Sequence, residues 1–580
     1  MEAAHVNHNN NLAQHTHPFA PDETHPALNA ILGANPFIDV DLSEILSMTL
    51  ALGQHLASRP FDVFSRMSRM MSELFEVAAG VSPVQAEPGD KRFADPAFDE
   101  NPFYRALKQG YLVWRSAMRD LIGPPNGADW KDFEQLRFTM GLLTEAVAPT
   151  NFLLGNPAAL KRMFDTAGFN LLRGWANLID DFENNGAMPS QVDKRPFKVG
   201  GNIAASPGAV VYRSPLCEVI QYQPKTPTVF SRPLVIIPPQ INKYYVMDLA
   251  PGRSLVQYAV EHGIQVFAIS WRNPGPAQAD WGLDDYVEAC TEAIEAARSI
   301  SKSPDVNVLG ICAGGITTSL VLGHLAALGD QSVNAATMLV TMLDTSLPSM
   351  TGMFATEETI ARAIERSRKK GVLAGEDMAR VFAWLRPNDL VWNYFVNNYL
   401  MGETPAPFDI LFWNADSTNL PARLHEGFLE LFLRNPLTKP GAIEILGRPV
   451  DLRKVTSDVY LVAGQTDHIC TWRACYRATR LFGGNVEFVL NSSGHVQTLV
   501  NPPSNAKAHY HTNPRLGANA DEWFSGATDN RGSWWDHWLE WIRPRSGAEK
   551  KAPRELGNAQ YHPREAAPGL YVTERPPKAG

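Results

Sequence analysis

The sequence predicts an α/β chain: a parallel sheet carrying a long insertion and preceded by a mostly helical region. Three observations predict it. Past residue 200, short apolar runs alternate with helical stretches, which is the pattern of a parallel sheet with crossover helices. One of those runs, Val306-Asn307-Val308-Leu309, leads straight into Gly310-Ile311-Cys312-Ala313-Gly314, a sharp turn before a new helix. The alternation then stops over residues of about 347–445 and resumes, as it would around a cap inserted between two late strands.

The elements follow in order. Residues 1–40 hold five of the fifteen histidines, with many Asn and Pro, and are expected to form a disordered extension, not a metal-binding tail. Residues 41–200 are expected to form a helical N-terminal domain. Over 42–80 the apolar positions, from Leu42 and Ile45 to Met71, Leu74 and Phe75, recur at helical spacing. Helical patterning returns over 101–185, with breaks near Pro124-Pro125 and Pro149. Residues 201–580 are expected to form the catalytic domain. Its strands are read at 232–237, 265–271, 306–311, 335–343, 458–464 and 486–490, with a helix over 286–299. Trp534, Trp535, Trp538 and Trp541 share one helical face, a core-packing pattern, and the last 30 residues are expected to be irregular.

Composition narrows the function. The chain has 580 residues, 44% hydrophobic and 19% charged, within the range of water-soluble globular proteins. A net charge of −9 argues against nucleic-acid binding. There is no run of 18 apolar residues, so no transmembrane segment is expected. Met1-Glu2-Ala3-Ala4-His5 lacks the basic and apolar regions of a signal peptide. Five cysteines, an odd and sparse set, fit a reducing compartment. Cys470 and Cys475 stand near His468, but their spacing is loose for a metal, and no metal is expected.

Strand, turn and helix around Cys312 is the setting of a nucleophile elbow, with cysteine where serine is usual. A cysteine there suits acyl transfer through a thioester. It needs a base, and the base needs an orienting acid. Asp467 closes the 458–464 strand and His495 closes the 486–490 strand, giving the order nucleophile, acid, histidine found in α/β-hydrolase folds. Asp344 is the alternative acid. His468 is a weaker base, because it adjoins Asp467 and its side chain diverges from it. His509 and His511 lie beyond the last clear strand. The oxyanion donors are read as the backbone N–H of Ala313 and, from the loop after the 232–237 strand, that of Ile241; Gln240 and Asn242 remain open, while Pro238 and Pro239 have no N–H.

Long stretches resemble the poly(3-hydroxyalkanoate) synthases, among them VNVLGICAGGITT, VAGQTDHICTWRACY and NSSGHVQTLVNPPSNAKA. The resemblance covers residues from about 100 to 575 and is closest to the single-chain enzymes, class II more than class I. It loosens at Ala313, where a class II enzyme is expected to carry serine, which leaves chain-length preference open. It implies an α/β-hydrolase fold with a cap and polymerisation of (R)-3-hydroxyacyl-CoA into polyester with release of CoA. It also implies a Cys312-bound acyl intermediate, His495 as base, and Asp467 as orienter of His495 or activator of the 3-hydroxyl. No cofactor is implied, since CoA is part of the substrate. The implied setting is cytoplasmic, as a homodimer at the granule surface with the growing chain and granule-associated proteins. Trp413 falls in a cap stretch that the resemblance ties to dimerisation, although burial alone would account for it. A thioesterase or polyester hydrolase on the same fold, or a non-catalytic granule-coat protein, would be the alternatives.

Overall fold

The computed structural model describes residues 59–122, 130–347 and 356–575, with isolated positions at 53, 56, 57 and 352. The expected extension 1–40, the start of the 42–80 helix and the Pro124-Pro125 break lie outside the described residues.

Among the described residues the long helices ahead of the sheet are α1 (Pro60–Ala78), α2 (Pro102–Leu121), α3 (Trp130–Ala146), α4 (Pro157–Asp165) and α5 (Phe169–Asn184). Three open on proline, whose missing N–H costs nothing in a first turn. Asn101 and Asn156 cap α2 and α4 by accepting from first-turn N–H groups.

The catalytic region is built on one ten-stranded sheet. Its strands are β1 (Gly208–Arg213), β2 (Cys217–Tyr222), β3 (Leu234–Ile237), β4 (Val266–Trp271), β5 (Val306–Ile311), β6 (Val333–Leu339), β7 (Asp458–Gly464), β8 (Val486–Asn491), β9 (His509–Thr512) and β10 (Thr528–Arg531). Their spatial order is β1-β2-β4-β3-β5-β6-β7-β8-β9-β10. From β4 to β8 neighbours run parallel, and the two strands at each edge are antiparallel. The central strands are buried from end to end, so they read as continuous apolar runs. Two apolar layers cover the two faces. One contains α6 (Leu283–Ser301); α7 (Ala313–Leu328) runs against the sheet directly behind β5.

Between β6 and β7 lie the cap helices α8 (Glu357–Lys370), α9 (Gly375–Trp384) and α10 (Ala422–Arg434). The cap also touches the N-terminal helices. Tyr399 O–H donates to Asp181 at 2.8 Å, and Asn170 Nδ2–H donates to Leu400 O at 2.7 Å. A Cβ at Gly174 would lie 1.9 Å from Tyr399 O, so only glycine lets α5 sit this close. At the C-terminal end, α11 (Trp534–Ile542) buries all four tryptophans, and Trp538 Nε1–H reaches Thr337 Oγ1 on β6 at 3.0 Å.

The structure departs from the sequence reading in several places, three of which bear on the site. First, β1 and β2 were not read as strands, because polar residues interrupt them. Glu218 and Gln221 on β2 are buried, yet both are satisfied by the irregular C-terminal tail. Glu218 Oε2 accepts from the N–H groups of Leu570 and Tyr571, each at 3.0 Å, and Gln221 Oε1 accepts from Gly557 at 2.6 Å. Second, the 335–343 strand stops at Leu339. Val340 turns to φ 45° and donates to Val462 O at 2.7 Å, which leaves Asp344 five residues out on a loop. Third, His509 and His511 do not lie past the sheet: they form β9.

Candidate active site

The elbow is shaped by its glycines. A Cβ at Gly310 would lie 2.3 Å from Thr318 Oγ1, and one at Gly314 would lie 2.3 Å from Ile237 O. One at Gly315 would lie 1.9 Å from Thr341 Oγ1. This close packing forces Cys312 to φ 50°, ψ −116°, a conformation that costs a non-glycine residue roughly 1–3 kcal/mol. Its carbonyl accepts from Gly315 and Ile316, which begins α7. Ala313 and Gly314 are therefore in the first turn, whose N–H groups have no acceptor within the helix and favour negative charge beside them.

Asp467 sits in the turn after β7 and is buried. Its Oδ1 accepts from Ile469 N–H at 2.8 Å and Cys470 N–H at 3.0 Å, while Oδ2 accepts from His495 Nδ1–H at 2.6 Å. His495 opens the short helix after β8, and its other ring nitrogen is left for Cys312. Three strand ends thus bring Cys312, Asp467 and His495 together in the order read from the sequence.

The charges follow from these contacts. The Cys312 thiol is held well below its ordinary pKa, first by a hydrogen bond from the Cys470 thiol and then, against burial, by the charge of His495. Burial opposes charge on His495, but the Asp467 carboxylate and the Cys312 sulfur override it and raise its pKa. Both shifts favour the thiolate–imidazolium form of the pair over the neutral one.

The alternatives are occupied elsewhere. Asp344 pairs with Arg477 and accepts from Asn435 Nδ2–H and Ser346 N–H, both at 2.9 Å. His468 is held low, first by burial and then by Arg386. His509 meets Asp529 at 2.8 Å on the hairpin of β9 and β10. Ile241 accepts from Thr418 N–H at 3.0 Å and lines the same cavity as Cys312 and Ala313, while the Gln240 side chain donates to Thr317 Oγ1 at 2.9 Å. Trp413 is buried, and its Nε1–H donates to Lys243 O at 2.7 Å, which accounts for it within one chain.

A cavity of about 120 Å³ separates Cys312 from the cap helices, walled by Met342, Met378, Phe382 and Phe428. Two of its residues were missed in the sequence. His425 lies on the apolar face of α10, spaced with Phe428, Leu429 and Phe432, which was the only signal for it. Cys470, with Cys475 five residues on, carries in sequence only the pattern of a loose metal pair. Among the described residues, two groups bring metal-type donor atoms within 4.8 Å of one another: Asp467 with Cys470 and His495, and His509 with His511 and Asp529. In the first, Asp467 and His495 are already bonded to each other and the Cys470 thiol is pushed up, so it stays protonated and binds metal poorly.

Residues 89–259 match the family described as Poly-beta-hydroxybutyrate polymerase (PhaC) N-terminus, and residues 233–502 match the alpha/beta hydrolase fold. Poly(3-hydroxyalkanoate) polymerase 1 of Ectopseudomonas oleovorans is 47% identical over 94% of this chain and 97% of its own. The chain belongs to the poly(3-hydroxyalkanoate) polymerase family. Polymerase 2 of the same organism is 46% identical, over 96% of this chain and 98% of its own. The polymerase subunit PhaC of Cupriavidus necator is 39% identical over 88% of each. The resemblance to class II thus holds along nearly the whole chain. The enzyme is an acyltransferase that polymerises hydroxyalkanoate into polyester. Among the described residues, no helix is long and apolar enough to cross a membrane.

Proposed function

We propose that the enzyme polymerises (R)-3-hydroxyacyl-CoA through an acyl group carried on Cys312, releasing CoA. The observation that carries this reading is the elbow thiolate paired with an imidazolium that Asp467 orients at 2.6 Å. The Cys312 thiolate attacks the thioester carbonyl, and the oxyanion is met by the N–H of Ala313 and, across the cavity, that of Ile241. The C–S bond to CoA breaks, and the CoA thiolate takes the proton of His495. Neutral His495 then accepts the proton of the next unit's 3-hydroxyl, whose oxygen attacks the acyl-Cys312 carbonyl. An ester forms, the Cys312 thiolate leaves, and the lengthened CoA thioester reloads Cys312. Asp467 acts through His495 in both halves, and no metal or redox cofactor enters.

The enzyme works at the surface of the polyester granule in the cytoplasm, as a homodimer. Exposed apolar side chains on α1 and α5 support the granule contact. The deciding experiment follows CoA release and polymer from 3-hydroxybutyryl-CoA and 3-hydroxydecanoyl-CoA, which also reads chain-length preference. Polymer with CoA is the expected result for wild type, and neither is expected for Cys312→Ala. CoA release retained in that variant, or free hydroxy acid as the sole product of the wild type, defeats the proposal.

A further inference from the structure

The second cysteine of the site exchanges no atom or proton in that cycle, yet it is held in place by the same carboxylate that orients His495. Asp467 Oδ1 accepts from Cys470 N–H at 3.0 Å, so the group that orients His495 also fixes the Cys470 backbone. The Cys470 side chain faces the cavity that Cys312 lines. Its thiol and the Cys312 sulfur line one cavity and each shifts the other's proton affinity, and its Sγ lies within 4.8 Å of the donor atoms of both Asp467 and His495. Cys475 supports it from behind, donating to Cys470 O at 3.6 Å. The two facing sulfurs differ in character. The Cys312 thiol is pulled toward its thiolate, whereas the Cys470 thiol is pushed the other way by Cys312 and by burial. Among the described residues none of the five cysteines is in a disulfide.

A thiolate reacts with peroxide, and its fate depends on whether a thiol is in reach. With one, sulfenic acid is trapped as a disulfide; without one, oxidation proceeds to sulfinic acid and is irreversible. We propose that Cys470 is the resolving thiol of Cys312, so that a hydroperoxide converts the pair to a Cys312–Cys470 disulfide that a dithiol reverses. The Cys312 sulfur attacks the hydroxyl oxygen of the peroxide, the O–O bond breaks, and the leaving alkoxide takes the His495 proton. Cys312 is now a sulfenic acid and the peroxide an alcohol, or water from hydrogen peroxide. Cys470 passes its proton to His495 and attacks the Cys312 sulfur. The S–O bond breaks, and the hydroxide leaves as water with that same proton. Two thiols have lost two electrons to one peroxide. The nucleophile is inactive but protected.

This inference rests on Cys312 being the nucleophile, and its test separates the two claims. The full chain is treated with hydrogen peroxide, digested without reduction, and analysed by mass spectrometry. A Cys312–Cys470 cross-linked peptide is expected in the wild type, and activity should return to most of its starting value on adding dithiothreitol. In Cys470→Val, measured against its own starting activity, peroxide should cause loss that dithiothreitol does not restore, with two oxygens added at Cys312. The proposal is overturned by a wild type that forms no cross-link, or by a variant that recovers as fully as wild type. Should the variant not fold, the wild-type cross-link decides alone. A cross-link found in an enzyme whose Cys312→Ala variant still releases CoA would sink the nucleophile assignment and leave the disulfide standing.

Discussion

Three neighbours act on the Cys312 sulfur and favour its thiolate: the Cys470 thiol, the His495 ring and the first turn of α7. An ordinary thiol gains about tenfold in alkylation rate per pH unit until its pKa near 8.5. The rate of iodoacetamide labelling at Cys312 should instead be nearly flat from about pH 7 to 9, and His495→Ala should restore the ordinary rise. A steep wild-type profile would argue that no thiolate pre-exists. His425 makes the opposite case of a group kept neutral. Its Nδ1 meets Ser367 Oγ at 3.1 Å, and burial lowers its pKa to about 4. Because the folded value is depressed, the unfolded chain binds a proton below its own pKa near 6.5 while the folded chain does not, so stability falls as pH falls. The loss should be about 2 kcal/mol by about pH 5, measured by urea unfolding. His425→Leu should lose that part of the slope, and an unchanged slope would assign it to other groups. The two residues also differ in how far the sequence disclosed them. Cys312, Asp467 and His495 each follow an apolar strand, and strand ends of a parallel sheet converge, so local pattern sufficed. Cys470 and His425 reach the same cavity from a turn and from the cap; nothing local marks the first, and only its place on an apolar helix face marks the second.

At the scale of elements, the central strands were legible because burial on both faces leaves an uninterrupted apolar run. The edge strands β1 and β2 were not, because their buried Glu218 and Gln221 depend on a tail more than 330 residues later in the chain. Tail and edge are one structural unit, with Arg213 bridging Glu218 and Glu565. The contact between α5 and the cap was equally hidden, since its key residue is a glycine inside a helix, ordinarily a weakening choice. Here it is needed: a methyl at Gly174 would meet Tyr399 O at 1.9 Å. Gly174→Ala should push α5 off the cap at a cost of about 1–3 kcal/mol, seen as a lower urea midpoint together with faster proteolysis between α9 and α10. Faster proteolysis at the N-terminal helices alone would show that the cap does not depend on this contact.

The helix α5 turns a small and polar face inward and leaves an apolar one outward. Asn170, Gly174 and Asp181 of α5 are buried and face the cap. The exposed side of the same helix carries Phe169, Leu172 and Trp175 at 65%, 66% and 64% exposure, with Ile179 and Phe182 continuing the line. Their spacing of three or four residues makes a stripe, and α1 repeats it with Phe61, Phe64, Met71 and Phe75. Side chains of this size left in water along a stripe mark a surface meant to be covered. For an enzyme whose product is a water-insoluble polyester, the product itself is a covering of matching chemistry. It would also keep the catalytic region beside the chain it extends. The stripe is separate from the Cys312 cavity, so the two functions should come apart. With the granule as the proposed covering, Leu172→Lys with Trp175→Lys should remove roughly 3–6 kcal/mol of apolar burial there, taking about 1.5–3 kcal/mol per large side chain. Most of the enzyme should then appear in the soluble fraction of granule-bearing cells, while CoA release from soluble substrate stays within about twofold, as changes at an exposed face rarely disturb the fold. Retention on granules in the double variant would assign the contact to another face, and loss of soluble activity would mean that the stripe serves the fold instead.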